Sequence, residues 1–407
     1  MKPIPKKIRD ALCEAMDLLI IKLAEDEASI GVEFPYVTDP QGAWKLMPAS
    51  LSAGYSGDDW SHGNWFCGFW VGLLLAAYLW SDDRRFLTWA RERMNLVVPR
   101  CEDGNTHDIG FIFYSSALPM YHITGEEDYA WVALRAADRL RARLIPTYAG
   151  AYVSSWGPLS DERGRRSSAI DTMANLPLLY WAADYADDGS YCAAAECHAR
   201  MTRQNFIRAD HSTYHAVEYD LPAGTRKRGY TFQGYAGESC WSRGQGWAIY
   251  GFTASAKATG NPMYLTVAEA LSEYYLKRLV EGGAAVPFWD FDAPRSPAAL
   301  RDSSAAAIVA SAMLDMGAIH PDSVRGERWR TSALEMLREL CRDYLARESG
   351  HRGLLKHGCY SKPHKEGTDS AVLFGDFYFV DAICKVLLPG KFTSEAARLS
   401  STASDER

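Results

Sequence analysis

The sequence predicts an all-α protein, a ring of helical hairpins whose active face lies at the end carrying the long connections. Three observations predict it. Apolar residues recur at helical spacing along nearly the whole chain, as in Ile8, Leu12, Ala15, Leu18 and Leu19 and again in Ala130, Leu134, Ala137, Leu140 and Leu144. Breaks of only a few residues, such as Thr124-Gly125-Glu126-Glu127-Asp128, Asp187-Asp188-Gly189-Ser190 and Thr259-Gly260-Asn261-Pro262, join successive helices into hairpins. Longer aromatic or Gly-rich segments alternate with these turns, at residues 37–64, 148–168, 210–240, 282–301 and 350–368. Long connections on a rigid scaffold are where function gathers.

In chain order, the first helix falls at residues 6–24, where basic residues run into an amphipathic pattern with none of the continuous apolar core of a secretory signal. Residues 66–80 form an uncharged apolar run shorter than the roughly 20 residues that span a bilayer, so they read as a buried helix. Further helices are expected at 84–96, 109–123, 128–144, 169–187, 190–207, 241–258 and 264–280. The next, at 302–316, opens on an Asp302 or Ser303 cap and continues in alanines that permit tight packing. Helices at 328–347 and 370–387 complete the set. No Pro- or Ser-rich linker divides the chain, so residues 1–390 are expected to form a single domain, with 391–407 a flexible tail rich in Ser, Ala and charge.

Composition narrows function. A chain with 47% hydrophobic and 23% charged residues is globular, and a net charge of −7 argues against a phosphate-tracking surface and hence against nucleic acid. Nine cysteines, an odd number with no CxxC pair, suit a reduced compartment, so the expected location is the cytoplasm and no membrane partner is expected. No P-loop, dinucleotide fingerprint, HExxH or GxSxG motif stands in a convincing context, and no ligand-spaced His/Cys cluster occurs, so neither cofactor nor metal is expected. Thirteen tryptophans and twenty-two tyrosines suit sugar stacking as well as core packing.

Two carboxylates sit among apolar neighbours at helix starts, Asp108 in HDIGF and Asp171 in IDTMANL. Desolvation there raises a carboxyl toward the pKa of a general acid, whereas the plainer alternative is helix capping. The densest cluster is Gln233-Gly234-Tyr235 followed by Trp241-Ser242-Arg243-Gly244-Gln245-Gly246-Trp247, with His215 upstream. Arg243 is suited to gripping a carboxylate and Trp241 and Trp247 to walling a sugar subsite; otherwise Trp247 is core and Arg243 pairs with a loop acid. Lys356, His357, Lys362, His364 and Lys365 make a basic loop, either a solvated turn or a contact for an anionic saccharide.

The ordered blocks HDIGF, IDTMANLPLLYWA, QGY, WSRGQGWAIYGF, VPFWDFD, RDSSAAAI and FGDFYF closely resemble the unsaturated glucuronyl hydrolases, glycoside hydrolase family 88, over residues 65–380. Unsaturated rhamnogalacturonyl hydrolases are a related neighbour, and WDFDAP and RDSSAAAI favour the glucuronyl family. The resemblance implies a six-hairpin (α/α)6 barrel and a substrate bearing a 4,5-unsaturated uronic acid, whose vinyl-ether double bond is hydrated. It implies Asp171 as general acid/base, with Asp108 binding ring hydroxyls and tuning it. His107, His215, Gln233, Trp241, Arg243 and Trp247 match positions around the unsaturated sugar, and Trp65 matches a stacking tryptophan, with Trp60 close by. The parent polysaccharide stays open, since residues 361–365 follow no family pattern. An inverting hydrolase of saturated sugars would also use two carboxylates. A sugar-binding protein without activity would explain the tryptophans but not the carboxylates.

Overall fold

A computed structural model describes residues 3–50, 63–296 and 299–392. The tail from residue 393 onward and Trp60 lie outside the described residues. The helices are α1 (Lys6–Glu27), α2 (Cys67–Ser81), α3 (Arg84–Val97), α4 (Ile109–Tyr114), α5 (Ala117–Thr124), α6 (Glu127–Ala142), α7 (Glu162–Arg166), α8 (Thr172–Ala186), α9 (Gly189–Asn205), α10 (Ser242–Thr259), α11 (Pro262–Gly282), α12 (Ser303–Ile319), α13 (Ser323–Glu339) and α14 (Leu373–Leu387).

Burial separates the helices into two layers. Helices α2, α4, α8, α10, α12 and α14 are apolar on every side over most of their length and are buried there, as α2 is from Cys67 to Ala77. Each packs on the next and α14 returns to α2, which closes an inner ring of six. The outer helices are amphipathic and bury one stripe, Phe86, Ala90, Met94 and Val97 in α3 for example. Together α3, α6, α9, α11, α13 and α1 back the inner helices α2, α4, α8, α10, α12 and α14. The (α/α)6 barrel is therefore the observed fold.

The short turns share one chemistry. Asp82, Asp187 and Gly260 take the left-handed conformation (φ 57°, 50° and 67°) at the ends of the inner helices α2, α8 and α10, and Gly125 (φ 71°) does so at the end of α5. In three of the four, the next residue, Asp83, Asp188 or Asn261, caps the outer helix by accepting a backbone N–H. That αL–cap pair makes a tight reversal and leaves the other end of the barrel to the long connections.

Those connections carry strands that periodicity did not predict. They are β1 (Phe34–Thr38) with β2 (Trp44–Met47), β3 (Leu144–Thr147) with β4 (Gly150–Val153), β5 (Ser167–Ala169), β6 (Ala216–Asp220) and β7 (Thr225–Tyr230) in one sheet, and β8 (Gly358–Ser361) with β9 (Glu366–Ser370). All pairings are antiparallel. Two helix expectations are corrected. The 109–123 segment breaks at Ser115 and Ser116, whose hydroxyls donate back to the carbonyls of Phe111 (2.7 Å) and Ile112 (2.5 Å), a bond that competes with the helical ladder. The 328–347 helix begins earlier, at Ser323, because Asp322 caps it by accepting from Val324 and Arg325. Among the described residues no helix is long and apolar enough to cross a membrane.

Candidate active site

Asp108 and Asp171 stand immediately before α4 and α8, neighbouring inner helices, and neither side chain caps its helix. The helices meet closely there. A Cβ on Gly110 would lie 2.5 Å from the Asn175 side chain, so glycine is what lets α4 approach α8. Asn175 spans the gap: its Oδ1 accepts from the Phe111 N–H at 2.5 Å and its Nδ2 donates to the Asp171 carbonyl at 3.1 Å. The two carboxyls remain partly open to solvent, with side chains 13% and 15% exposed.

His107 joins them. Its Nε2 lies 3.2 Å from Asp108 Oδ1 and 3.1 Å from Asp171 Oδ1, while its Nδ1 is 2.9 Å from the Ser155 carbonyl. A carbonyl only accepts, so Nδ1 carries a hydrogen. If Nε2 were bare and both carboxylates ionised, three sets of lone pairs would converge; at least one proton therefore belongs to this triad. The charges of the two carboxylates lift His107 above its usual range despite the opposing effect of burial. Burial, together with the charge of Asp171, raises Asp108 against the pull of His107. Burial also acts to raise Asp171, but His107 outweighs it by charge and hydrogen bond and leaves Asp171 below its usual range. The expectation that desolvation raises both carboxyls thus holds for Asp108 only. His107 itself was expected to touch the sugar; it is completely buried and lies behind the two carboxylates.

A cavity of about 190 Å³ opens above the pair, and Trp65 and Gln233 line it with Asp108 and Asp171. Trp65 stacks on Phe374 at 5.4 Å, and Gln233 Nε2 donates to the Tyr360 carbonyl at 3.1 Å. The loop presenting Gln233 is pegged by Asp290 of the VPFWDFD block, whose Oδ2 accepts from the Tyr235 N–H (2.9 Å) and the Ser239 hydroxyl (2.7 Å). That block positions another; it does not face the cavity.

Four expected contacts are set back from the cavity. Arg243 is 1% exposed, with Nη1 donating to Asp302 at 2.5 Å and to the Cys359 carbonyl at 2.7 Å, and Nη2 to the Tyr360 carbonyl at 2.5 Å. It holds the β8–β9 hairpin in place, and its donors are engaged within the protein. Trp247 is buried against Phe111 and Tyr378. Trp241 is likewise buried, with its ring against His215 at 4.2 Å and beneath the Arg243 guanidinium. His215 Nδ1 contacts the Thr231 hydroxyl at 2.8 Å; burial pushes the imidazole down to about 3 and keeps it neutral. A dense motif marks packing as readily as chemistry.

The basic loop divides. Ser361 and His364 line the cavity, whereas Lys356 pairs with Glu348 and His357 with Asp369. Sequence reasoning missed Trp156, Phe232, Tyr360 and Glu366, which also line it. Phe232 adjoins the QGY block and Trp156 lies in an aromatic connection, but no spacing ties either to Asp171. Among the described residues no group of three or more His, Cys, Asp or Glu is arranged to hold a metal ion.

No family profile matches the chain. The chain is 31% identical to the unsaturated glucuronyl hydrolase of Bacillus sp. (strain GL1) over 372 residues, 89% of this chain and 93% of that protein. It is 30% identical to the unsaturated chondroitin disaccharide hydrolase of Streptococcus agalactiae serotype III (strain NEM316) over 329 residues, 79% of this chain and 81% of that one. The crystal structure of the Bacillus sp. GL1 unsaturated glucuronyl hydrolase superposes with a TM-score of 0.82 at 30% identity, covering 93% of this chain and 98% of that one.

Proposed function

The chain belongs to the unsaturated glucuronyl hydrolases, and on that premise we propose that it removes a 4,5-unsaturated uronic acid from the non-reducing end of oligosaccharides produced by polysaccharide lyases. The observation that carries this reading to the site is the placement of His107 Nε2 within 3.2 Å of both Asp108 and Asp171 under an aromatic-lined cavity.

Asp171 protonates carbon 4 of the unsaturated ring, and water adds at carbon 5, giving its proton to the carboxylate just formed. The hemiketal at carbon 5 opens to a ketone, and the hemiacetal so exposed at carbon 1 expels the rest of the chain. Among the protein's own groups Asp171 is the more acidic partner. A uronate carboxylate brought beside it adds a negative charge and excludes water, and both favour the protonated form. The proton shared through His107 then moves onto Asp171, while Asp108 keeps hydrogen-bond contact with the ring hydroxyls. We place this activity in the cytoplasm, supported by nine unpaired cysteines, and read residues 1–390 as one catalytic unit, supported by the closed inner ring.

The test follows the conjugated double bond. Purified protein should abolish the absorbance of an unsaturated uronate disaccharide, and turnover in deuterated water should place deuterium at carbon 4 in the earliest product. Cleavage of saturated glucuronides without early deuterium at carbon 4 would reassign the protein to conventional glycoside hydrolysis.

A further inference from the structure

The catalytic cavity, of about 190 Å³, is on the order of one sugar ring in size. The remainder of an oligosaccharide must lie outside it. A second cavity, of about 710 Å³, adjoins it. Trp156 and Phe232, in edge-to-face contact at 4.9 Å, line both. The same strands serve both: β5 ends two residues before Asp171, His215 immediately precedes β6, and β7 leads through Phe232 to Gln233.

The two cavities differ in charge. The catalytic one is lined by three carboxylates, Asp108, Asp171 and Glu366, with no lysine or arginine among its described lining. The larger one is lined by Arg163, Arg166, Lys227 and Arg228 and by the carboxylates Glu162 and Glu218, with Arg163 also paired with Asp161 at 2.6 Å, so four cations face three carboxylates. Glu218 lies opposite Arg228 in the β6–β7 register. It accepts from Lys227 Nζ at 2.8 Å and Arg228 Nε at 2.6 Å, so one carboxylate holds two cations and leaves a surplus positive charge facing the cavity. Arg166 reaches in from α7, paired with a Glu162 that is itself largely exposed. Guanidinium forks beside aromatic faces match a sugar bearing a carboxylate.

We propose that this cavity is a distal subsite for the carboxylate of an internal uronic acid, so that the preferred substrate is an unsaturated acidic oligosaccharide longer than a disaccharide. The proposal rests on the catalytic cavity holding the unsaturated ring, as argued above.

The experiment measures kcat/KM by loss of absorbance on three substrates: an unsaturated uronate disaccharide, the tetrasaccharide of the same repeat with a uronate as its third residue, and that tetrasaccharide with its saturated carboxyl reduced to the alcohol. Wild type should favour the acidic tetrasaccharide over the disaccharide by about tenfold. Carboxyl reduction, the double substitution K227Q/R228Q, or Arg166→Gln should each remove most of that advantage. Disaccharide turnover should stay within about twofold in the variants, which also shows that they fold. Equal kcat/KM on the two lengths, or an advantage that survives both carboxyl reduction and loss of Lys227 and Arg228, overturns the subsite. Wild type that consumes neither disaccharide nor tetrasaccharide overturns the hydrolase reading itself, and the subsite with it.

Discussion

The proposed sharing of a proton among Asp108, His107 and Asp171 makes two substitutions informative. Asp171→Asn cannot release a proton to carbon, and its kcat should fall by a factor of about a hundred to ten thousand or more while the fold stays intact. Near wild-type kcat in a properly folded D171N protein would remove the residue from the mechanism. Asp108→Asn takes one negative charge from beside His107, whose pKa that charge raises. The remaining groups then hold the proton less tightly, so residual activity should be severely reduced and the alkaline limb of its pH profile should move to lower pH. A limb that stays in place or moves to higher pH would refute the sharing. The two aspartates were legible in the sequence as carboxylates among apolar neighbours, but His107 as their bridge was not. Nothing in HDIGF distinguishes a histidine facing a sugar from one facing two carboxylates; Ser155, which fixes its tautomer, lies 48 residues away.

At the scale of elements, the site depends on how closely α4 approaches α8. Gly110→Ala would set a methyl 2.5 Å from Asn175, forcing the helices apart at a cost of about 1–3 kcal/mol. Because both carboxyls ride on these helices, kcat/KM should also fall, by roughly a hundredfold for a displacement of about 1 Å. Denaturant unfolding and steady-state kinetics check the two effects, and an alanine variant with unchanged kinetics would show that the spacing is not critical. The helices themselves were readable because burial of a stripe or a whole surface writes a period of 3.6 into them. The strands were not, since three- to six-residue pairs inside Gly- and aromatic-rich connections carry too little period to register. For the same reason Trp156, Tyr360 and Glu366 were missed: Trp156 reaches the site from one connection and Tyr360 and Glu366 from the β8–β9 hairpin of another, and only the barrel brings them together.

Across the whole molecule, the inner ring closes where α14 returns to α2, and α1 backs α14 at that seam. Asp376 of α14 is buried there and accepts from the backbone N–H groups of Leu354 and Leu355, both at 2.8 Å. Burial pushes its carboxyl up to about 7, against the two N–H bonds and Lys22 and with the help of Asp26. The folded state therefore keeps a proton that the unfolded chain releases near pH 4, and this contribution is present at low pH and lost as the pH rises through about 7. Measured against Asp376→Asn, wild-type stability should decline by up to roughly 4 kcal/mol across that window. A gap between the two proteins that stays constant with pH would contradict it. The contact between α1 and α14 has a further consequence. In a closed ring no hairpin is first or last, and sequence order is a matter of where the circle happens to be cut. A circular permutant that joins the α14 end to α1 by a flexible linker and opens the chain between Gly260 and Asn261 should fold and hydrolyse the same disaccharide. If it fails to fold, the cut between α14 and α1 is built into the folding route and is not an arbitrary opening in a seamless ring.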